Sequence, residues 1–202
     1  MKILITCGPT WVKIDEVRVI SNQSTGEMGH LLAKAFYTAG CKVTLIEGPV
    51  TNPLKVKGIR TLKYRFFDDL EKVLLSECSK QYDVILHAAA VSDFKPQRPF
   101  SQKIDSRQSL NIKLVKTKKL INEIKQIAPH SFLVGFKLEP DLDHKNMFYY
   151  AKNLFMDSGC DLVVANSVSD GYQGYIIDAD NNVLAQAKDK AILVDHLVRI
   201  LR

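Results

Sequence analysis

The residues best suited to chemistry stand close together near the amino terminus. The stretch RVISNQSTGEMG, residues 18–29, crowds small, hydroxyl and amide side chains just before a segment whose apolar residues have helical spacing. The first N–H groups of a helix lack intrahelical partners and lie at the positive end of its dipole, so this stretch favours an anionic ligand such as phosphate. Simple helix capping would use the same residue types without any ligand. Both interpretations stay open on this stretch alone.

Apolar patterning around this stretch predicts a strand, a helix and a second strand. The run KILITC is apolar and is broken at once by Gly8, as expected of a buried strand that ends in a turn. The segment that precedes the helix, TWVKIDEVRVISNQ, has no clean helical period and is interpreted as a long loop. From Thr25 apolar residues recur at helical spacing until Gly40, in the usual place of a C-terminal glycine. KVTLI then forms the second strand.

A strand–helix–strand unit of this kind is typical of dinucleotide-binding proteins, but the sequence fingerprint of those proteins is missing. That fingerprint is G-x-G-x-x-G in a tight strand-to-helix turn, whereas Gly8 and Gly26 lie eighteen positions apart. Glu47, after the second strand, stands where a ribose-binding acid lies in dinucleotide-binding proteins. A solvated loop carboxylate is the simpler interpretation, and we assign Glu47 no role.

Strands and helices continue to alternate towards the carboxyl terminus. Strands are expected at residues 58–65, 83–90, 132–136 and 161–166, helices at 68–80, 117–127, about 143–157 and from 188, and a hairpin at 175–185. Thr117 is expected to cap the second of these helices. The alternation predicts an α/β fold, a doubly wound, mainly parallel sheet in three layers, forming a single domain over residues 1–202. Ligands of such sheets bind at the carboxyl ends of the strands, near the switch point.

Two of the segments at this edge have compositions that suit a ligand site. Ala88, Ala89 and Ala90 end a strand, and such small side chains let a planar ring or a backbone come close, although tight helix–sheet packing would use alanines as well. The polar stretch 97–111 has no hydrophobic period and follows soon after. A loop of this length inside a compact domain is typical of a lid or binding loop.

Composition narrows the class of protein. With 46% hydrophobic and 25% charged residues over 202 positions, the chain is typical of one globular domain. No apolar run approaches the roughly 20 residues that cross a bilayer, and KILITC is too short for a signal-peptide core, so a cytoplasmic protein without a membrane segment is expected. The four cysteines are isolated singles, interpreted as reduced packing residues. The net charge of +6 suits an anionic small substrate as well as nucleic acid.

Four segments together resemble one family, the phosphopantothenate–cysteine ligases (phosphopantothenoylcysteine synthetases) of coenzyme A biosynthesis. GPTWVKIDEVRVISNQSTGEMG is similar to the family's opening glycine-threonine loop and its ISN-x-S-S/T-G-x-M-G segment. HAAAVSDFKP resembles the family's AAAV-x-D-aromatic-x-P segment, Lys103 its lid lysine and DLVVAN its late strand. The resemblance runs from Lys2 to about Asn166 and implies a stand-alone ligase domain with a Rossmann-like fold.

The resemblance also implies an activity and a set of site residues. Members are homodimers that use Mg²⁺ and CTP or ATP to turn 4′-phosphopantothenate into an acyl nucleotidylate, which the amine of L-cysteine attacks to give 4′-phosphopantothenoylcysteine. The implied phosphate-site residues are Gly8, Thr10, Ser24, Thr25 and Gly26. The implied nucleotide-binding residues are further Ala88, Ala89, Ala90, Asp93 and Phe136. Arg18 and Asn22 would bind substrate, Asn22 would stabilise the acyl intermediate and its oxyanion, and Lys103 would close over the transferring phosphate. The metal ligands stay unassigned.

The chain departs from the family pattern at several positions. Pro9 replaces a common second glycine and Trp11 a common arginine, while Leu154 and Ser158 stand where many CTP-dependent bacterial members have lysines. FKLE, residues 136–139, instead resembles eukaryotic and some stand-alone bacterial members, the eukaryotic ones being associated with ATP. The choice between CTP and ATP therefore stays open. The chain begins at the ligase portion, without the flavin-dependent decarboxylase of bifunctional members, so no bound flavin is expected; association with a separate decarboxylase is left open.

Two other classes of function compete with the ligase. An NAD(P)-dependent reductase of the short-chain family would need Tyr-x-x-x-Lys, and no tyrosine in the chain has a lysine four places later. A basic nucleic-acid-binding module would use the lysines between Lys113 and Lys119, which are more simply a solvated strand and helix start. We therefore expect small-molecule substrates and no nucleic acid.

Overall fold

One eight-stranded sheet runs through the protein, as seen in a computed structural model that describes residues 1–107, 109–140, 144–169 and 171–202. The strands of the chain are β1 (Lys2–Cys7), β2 (Trp11–Lys13), β3 (Val19–Ser21), β4 (Lys42–Glu47), β5 (Arg60–Lys63), β6 (Val84–His87), β7 (Phe94–Pro96), β8 (Leu114–Lys116), β9 (Phe132–Leu138), β10 (Leu162–Ser167), β11 (Gln173–Asp178) and β12 (Val183–Ala187). The helices are α1 (Glu27–Thr38), α2 (Phe67–Cys78), α3 (Ile121–Ile127), α4 (His144–Ser158) and α5 (Lys190–Leu201).

The order of the strands creates the switch point at which a ligand site is expected. The large sheet runs β12-β11-β10-β9-β6-β1-β4-β5, and its six strands from β10 to β5 are parallel. From β1 the chain moves to β4 on one side and later returns to β6 on the other, so the loops after β1 and β6 diverge above the sheet. The antiparallel strands β11 and β12 form the predicted hairpin.

Helices cover both faces of the sheet, which confirms the predicted three-layer, doubly wound arrangement. The apolar residues of α1 and α5 pack with alternate residues of β1, such as Ile3 and Ile5, on one face. Residues of α2, α3 and α4 pack with Leu4 and its neighbours on the other. Because β1 is buried on both sides, its sequence is a continuous apolar run rather than an alternating one.

Two small sheets stand where the sequence predicted irregular loops. The segment TWVKIDEVRVISNQ was expected to be a loop, but β2 and β3 form an antiparallel pair within it. A second pair, β7 with β8, frames the long polar stretch. The short β2–β3 hairpin gives too few alternating positions for the sequence pattern to reveal it. Residue 108, inside the polar stretch, lies outside the described residues.

One predicted helix boundary is wrong. Thr117 does not cap a helix, because α3 begins at Ile121 and the Thr117 hydroxyl donates 2.6 Å to the carbonyl oxygen of Ser92. Helix α1 begins after Gly26, and Gly40 follows its end with a φ of 82°, as the C-terminal glycine pattern predicted. The expected start of α4 at Asp143 lies outside the described residues.

The cysteines Cys7, Cys41, Cys78 and Cys160 are all free and buried, as packing residues should be. Within the described part of the chain, we find no helix that combines the length and the apolar character needed to cross a bilayer.

Gly29 sets how closely α1 approaches the sheet. A Cβ at this position would lie 2.2 Å from the Cβ of Cys7 in β1, so Gly29→Ala should force the helix away and lower the free energy of unfolding by about 1–3 kcal/mol. Thermal unfolding measures the loss, and Lys34→Ala, on the exposed side of the same helix, is the control. Cys7→Gly combined with Gly29→Ala should cost less than the sum of the two single changes. A Gly29→Ala protein as stable as wild type would contradict this packing account.

Candidate functional site

A cleft of about 870 Å³ opens at the carboxyl ends of the parallel strands. Most of its walls come from four parts of the chain that are distant in sequence: residues 22–29, 87–91, 118–122 and 136–138, with side chains of α4 opposite them and Lys190 of α5 beside residues 22–29. A second cavity, of about 760 Å³, lies at the amino ends of the strands and is lined by residues such as Lys2, Asp83 and Ser131. Only the first cavity lies at the edge where parallel α/β sheets bind ligands.

The amino end of α1 forms one wall of the cleft. Ser24, Thr25 and Gly26 all line it, and Gly26 adopts a left-handed φ of 75° immediately before the helix. No side chain caps this helix end by the usual hydrogen bond, although the Thr25 hydroxyl accepts weakly, at 3.3 Å, from the backbone N–H of Glu27. The helix end therefore presents backbone N–H groups and two hydroxyl groups towards the cleft, an arrangement suited to phosphate oxygens.

The loop after β6 forms the opposite wall. Ala88, Ala89 and Ala90 line the cleft and are only half-buried, which leaves a flat surface of small side chains. The hydroxyl of Thr6 in β1 accepts from the backbone N–H of Ala89 at 3.2 Å and lies 3.0 Å from Nδ1 of His87. These bonds tie the two switch-point strands together directly below the cleft.

His87 is the titratable group on the floor of the cleft. Burial lowers its pKa to about 4, because the imidazolium form would lose its hydration. The ring is therefore neutral at pH 7 and contributes a polar but uncharged surface next to the alanines. His87 carries no functional signal in the sequence, since a histidine at the end of an apolar strand looks like a packing residue.

Gly8 and Thr10 lie behind the cleft rather than in it. Gly8 is buried with a φ of 80°, and its carbonyl oxygen accepts from the Tyr64 hydroxyl at 2.9 Å. Thr10 is fully buried; its hydroxyl donates to Ser92 Oγ at 2.9 Å and accepts from the Ser92 backbone N–H at 2.8 Å. Neither residue is a cleft-lining residue. In this structure they join the loops after β1 and β6, and the phosphate contacts expected of them remain predictions.

Glu47 is not the solvated carboxylate that the sequence suggested. Its side chain is fully buried, lies 2.5 Å from His30 Nε2, accepts from the backbone N–H of Leu54 at 2.8 Å, and is ion-paired with Lys63. A lone carboxylate at a strand end gives no sign of this, because its partners come from α1, β5 and the loop after β4. Glu47 thus holds the first turns of α1 against the sheet.

Cys7, His30 and Glu47 form the one group of three potential metal ligands found among the described residues, with ligand atoms within 4.8 Å of one another. Its chemistry does not suit a cation. Burial raises the pKa of the Cys7 thiol to about 12, which keeps it protonated, and Glu47 is already neutralised by Lys63. Burial and the charges of Lys34 and Lys63 lower the pKa of His30, and the same two charges would repel a cation. We interpret the cluster as a packing and hydrogen-bonding network.

Asn22, Asp93 and Phe136 reach the cleft from three directions. The amide nitrogen of Asn22 donates to the carbonyl oxygens of Val91 at 3.1 Å and Ala90 at 3.4 Å, which holds the side chain across the mouth of the cleft. Asp93 is ion-paired with Lys119 at 2.5 Å, and Phe136 lies at the end of β9. The fold therefore brings together residues that the sequence places more than a hundred positions apart.

Lys103 and Arg18 lie outside the cleft in the polar loop and its neighbouring hairpin. Lys103 is exposed, and the adjacent Ile104 is fastened by its backbone N–H to Oδ2 of Asp15 at 3.1 Å. Arg18 donates to the same oxygen at 2.6 Å and to the Ile104 carbonyl oxygen at 3.2 Å. The buried Asp15 therefore anchors the loop that carries Lys103 to the β2–β3 hairpin.

Asp15 stays ionised although it is buried. Burial alone would raise its pKa, but hydrogen bonds from the backbone N–H groups of Ile104, Val17 and Arg18 and from the Arg18 guanidinium lower the pKa to about 2. The folded carboxyl thus has a lower pKa than its ordinary value of 3.8. Its contribution to loop anchoring is complete above that ordinary value and is lost as the pH falls towards 2.

Several cleft residues carried no recognisable signal in the sequence. They share polar or aromatic side chains on helices, and only the tertiary fold directs them to the site: Glu27, Tyr149, Tyr150, Asn153, Asp157 and Lys190. Their spacing on amphipathic helices is also that of ordinary surface residues, so no sequence pattern separates the two cases.

This fold and cleft define a Rossmann-like α/β protein with its ligand site at the topological switch point. The family described as "DNA/pantothenate metabolism flavoprotein C-terminal domain" (DFP) matches residues 1–197, and the chain belongs to it.

Curated relatives and a solved structure extend the comparison. The coenzyme A biosynthesis bifunctional protein CoaBC of Thermococcus kodakarensis is 36% identical over 83% of this chain and 41% of its own length. The protein of the same description from Methanocaldococcus jannaschii is 34% identical over 86% of this chain and 42% of its own length. The crystal structure of a DNA/pantothenate metabolism flavoprotein from Streptococcus pneumoniae, 25% identical, superimposes with a TM-score of 0.88 over 100% of this chain and 98% of that one. The chain thus spans about two fifths of the length of these curated relatives.

Loss of the Asp15 carboxylate should release the polar loop without unfolding the domain. In Asp15→Asn the side-chain N–H₂ would meet the donors of Arg18 and Ile104, so trypsin should cut after Lys103 and Arg107 about 10-fold faster at pH 7 than in wild type. Asp105→Asn is the matched control for cleavage after Lys103, because Asp105 is exposed and its ion pair, with Arg107, lies within the loop. Limited proteolysis followed by mass spectrometry measures the rates. Equal cleavage of Asp15→Asn and wild type would show that Asp15 does not anchor the loop.

Proposed function

We propose that this protein ligates 4′-phosphopantothenate to L-cysteine, forming 4′-phosphopantothenoylcysteine through an acyl nucleotidylate made from CTP or ATP. One observation carries the proposal: the segments 22–29 and 88–93, on which the resemblance to the ligases depends, face each other across one cleft, with Phe136 beside them. Membership of the DFP family and the relatives described as coenzyme A biosynthesis proteins support the same conclusion. We place the activity in the cytoplasm.

The first half-reaction joins the substrate carboxylate to the α-phosphate of the nucleotide and releases pyrophosphate. Both partners are anions, so the site must offset repulsion while holding the reacting atoms close. The amino end of α1, with Ser24 and Thr25, offers neutral donors to the phosphates, and the flat alanine surface accommodates the nucleoside. Lys103, on its anchored loop, is the positive charge that would close over the transferring phosphate.

Mg²⁺ fits the chemistry of this cleft. Magnesium is held mainly by substrate phosphates with one or two carboxylates and water, and Glu27 and Asp93 are partly exposed carboxylates among the cleft-lining residues. Bound with the triphosphate, Mg²⁺ would lower its charge and make pyrophosphate a better leaving group. The protein's own part is to supply oxygen ligands at the mouth of the cleft.

The second half-reaction is attack of the cysteine amine on the acyl carbon, which releases the nucleoside monophosphate. Negative charge develops on the acyl oxygen and needs a neutral hydrogen-bond donor. The Asn22 side chain lies across the cleft and holds Ala90 by its weaker hydrogen bond, at 3.4 Å. We propose that this Asn22 N–H group donates to the acyl oxygen instead, which would displace the Ala90 carbonyl oxygen as its acceptor. Because the Asn22 amide is uncharged, it can donate to the oxyanion without also forming a salt bridge to the carboxylate that cysteine brings into the product.

The proposal includes two possible nucleotides and no flavin chemistry. Leu154 lines the cleft where many CTP-dependent members have a lysine, and Asn153 and Asp157 offer hydrogen bonds to either base, so the proposal includes both CTP and ATP. The chain matches only the C-terminal domain of the flavoprotein family, and flavin chemistry forms no part of the proposed reaction.

We further propose that the protein acts as a homodimer joined through its two small sheets. These sheets and their turns expose large apolar side chains that a monomer would leave in water: Val17 at 65%, Phe94 at 50%, Leu114 at 44% and Phe100 at 42% exposure. Such a patch is typical of a protein–protein interface. Arg18 lies in the same hairpin, so its predicted contact with substrate would be made at the edge of this interface.

Product analysis tests the function. The protein is incubated with 4′-phosphopantothenate, L-cysteine, Mg²⁺ and each nucleoside triphosphate in turn, and the products are identified by mass spectrometry. The proposal predicts the amide together with a nucleoside monophosphate and pyrophosphate. The amide with a nucleoside diphosphate would indicate an acyl-phosphate route instead, and no amide with any nucleotide would refute the ligase function.

Lys103→Ala should separate catalysis from stability. Lys103 is exposed, so its truncation should change the free energy of unfolding by about 0.5 kcal/mol or less. Turnover should fall strongly, because the transferring phosphate loses its closing charge. Lys113→Ala, a truncation of an exposed lysine near the other end of the same loop, should leave turnover unchanged. Near-normal turnover of Lys103→Ala in steady-state assays would remove Lys103 from the catalytic residues.

Asn22→Asp should affect the second half-reaction more than the first. A carboxylate would repel the developing oxyanion and remove its donor, a loss typically of about 10²- to 10³-fold in rate, so the acyl nucleotidylate should accumulate. Rapid quenching before and after addition of cysteine measures the intermediate. If Asn22 only fastens the loop after β6, the variant should instead lose about 1 kcal/mol of stability while both half-reactions proceed normally.

A further inference from the structure

The ion pair between Lys190 and Glu27 joins the amino ends of two neighbouring helices that line the cleft. Lys190 is the first residue of α5 and Glu27 the first residue of α1, 163 positions apart in the chain, and both line the cleft. Glu27 directly follows Gly26, the last of the five residues predicted to bind phosphate. Lys190 therefore lies beside the part of the site where the nucleotide phosphates are proposed to bind.

Helix stability does not explain a lysine at this position. A cation in the first turn of a helix faces the positive end of the dipole, which is unfavourable, whereas Glu27 is well placed at the start of α1. The amino end of α5 is already capped by Asp189, whose carboxylate accepts from the N–H groups of Ala191 at 2.7 Å and Ile192 at 3.1 Å. Lys190 thus adds nothing to the cap, and its ammonium is directed away from its own helix towards the cleft.

The surroundings of Lys190 hold its ammonium in place without neutralising it permanently. The Nζ atom lies 5.8 Å from the ring centroid of Tyr172, which gives the ammonium a cation–π contact as well as its ion pair with Glu27. The Lys190 side chain is 29% exposed and that of Glu27 55%, so water screens their attraction and the pair contributes little to stability. A partner with more negative charge than one carboxylate would replace Glu27 readily.

The phosphate end of the cleft needs such a cation. Ser24, Thr25 and the amino end of α1 offer only neutral donors, and Glu27 beside them is an anion that would repel a triphosphate. Among the described residues lining the cleft, the other three lysines lie on other walls and have carboxylate partners there: Lys118 with Glu71 and Glu123, Lys119 with Asp93, and Lys137 with Glu139.

We propose that Lys190 is a phosphate-binding residue, which exchanges Glu27 for a phosphate oxygen of the nucleotide when the cleft is filled. The inference rests on the proposed function, since it names a further residue of the same nucleotide site. In the free protein, Glu27 would then hold the Lys190 ammonium beside the phosphate site until the nucleotide binds. The phosphate bound is the one at the amino end of α1.

Binding measurements without divalent cations test the charge of Lys190 alone. Isothermal titration calorimetry with ATP and CTP should show Lys190→Gln binding about 10- to 100-fold more weakly than wild type. Lys190→Arg keeps the charge and should retain most of the affinity. Glu27→Gln removes the competing carboxylate and should bind the triphosphates more tightly. Lys188→Gln, two residues earlier and outside the cleft, is the matched control and should bind as wild type does.

Adenosine and cytidine separate a phosphate contact from a structural role. Ligand-observed NMR should show that the nucleosides bind Lys190→Gln as they bind wild type, because they carry no phosphate. Equal loss of nucleoside and triphosphate binding would show that Lys190 only supports the fold, and undiminished triphosphate binding by Lys190→Gln would overturn the proposal while leaving the ligase function intact. A wild-type protein that binds neither triphosphate would overturn both.

Discussion

The close contact between α1 and β1 is the constraint on which the rest of the site depends. Gly29 leaves no space for a side chain between the helix and Cys7, and the glycines at 8 and 26 let the neighbouring loops meet around Val50. This contact directs the amino end of α1 at the switch point between β1 and β6. The phosphate contacts predicted for Ser24, Thr25 and Gly26 depend on that direction, because the free backbone N–H groups at the start of a helix point along its axis.

Buried polar groups maintain this arrangement, at a cost that their partners offset. Taking the Glu47 carboxylate out of water would cost several kcal/mol, about as much as a small domain's entire stability, if it had no partner. His30, the Leu54 N–H group and Lys63 supply partners from three different elements. Asp15 plays the same part for the long polar loop. Both carboxylates connect parts of the chain that are distant in sequence: Glu47 joins α1, β5 and the loop after β4, and Asp15 joins the polar loop to the β2–β3 hairpin.

The sequence predicted the layers of the fold and two facing walls of the cleft for physical reasons. Apolar runs such as KILITC and the helical spacing from Thr25 to Gly40 are local signals, and the parallel order of the strands places their carboxyl ends at one edge. Ser24 to Gly26 and the three alanines were found in this way. The buried state of Glu47, the β2–β3 pair and the place of Lys190 could not be predicted, because each depends on partners far away in the chain. Thr10 is the opposite case: its motif predicted a place in the site, but its side chain is buried behind the cleft.

Hydrogen exchange tests most directly the claim that nucleotide phosphates meet the amino end of α1 across from the loop after β6. Exchange is followed by mass spectrometry with and without nucleoside triphosphate. The account predicts slower exchange in peptides covering residues 22–30 and 88–93, and unchanged exchange around the cavity at the amino ends of the strands, which includes Tyr82 and Ser131. Protection confined to that cavity, or exchange unchanged around α1 despite measured binding, would contradict it.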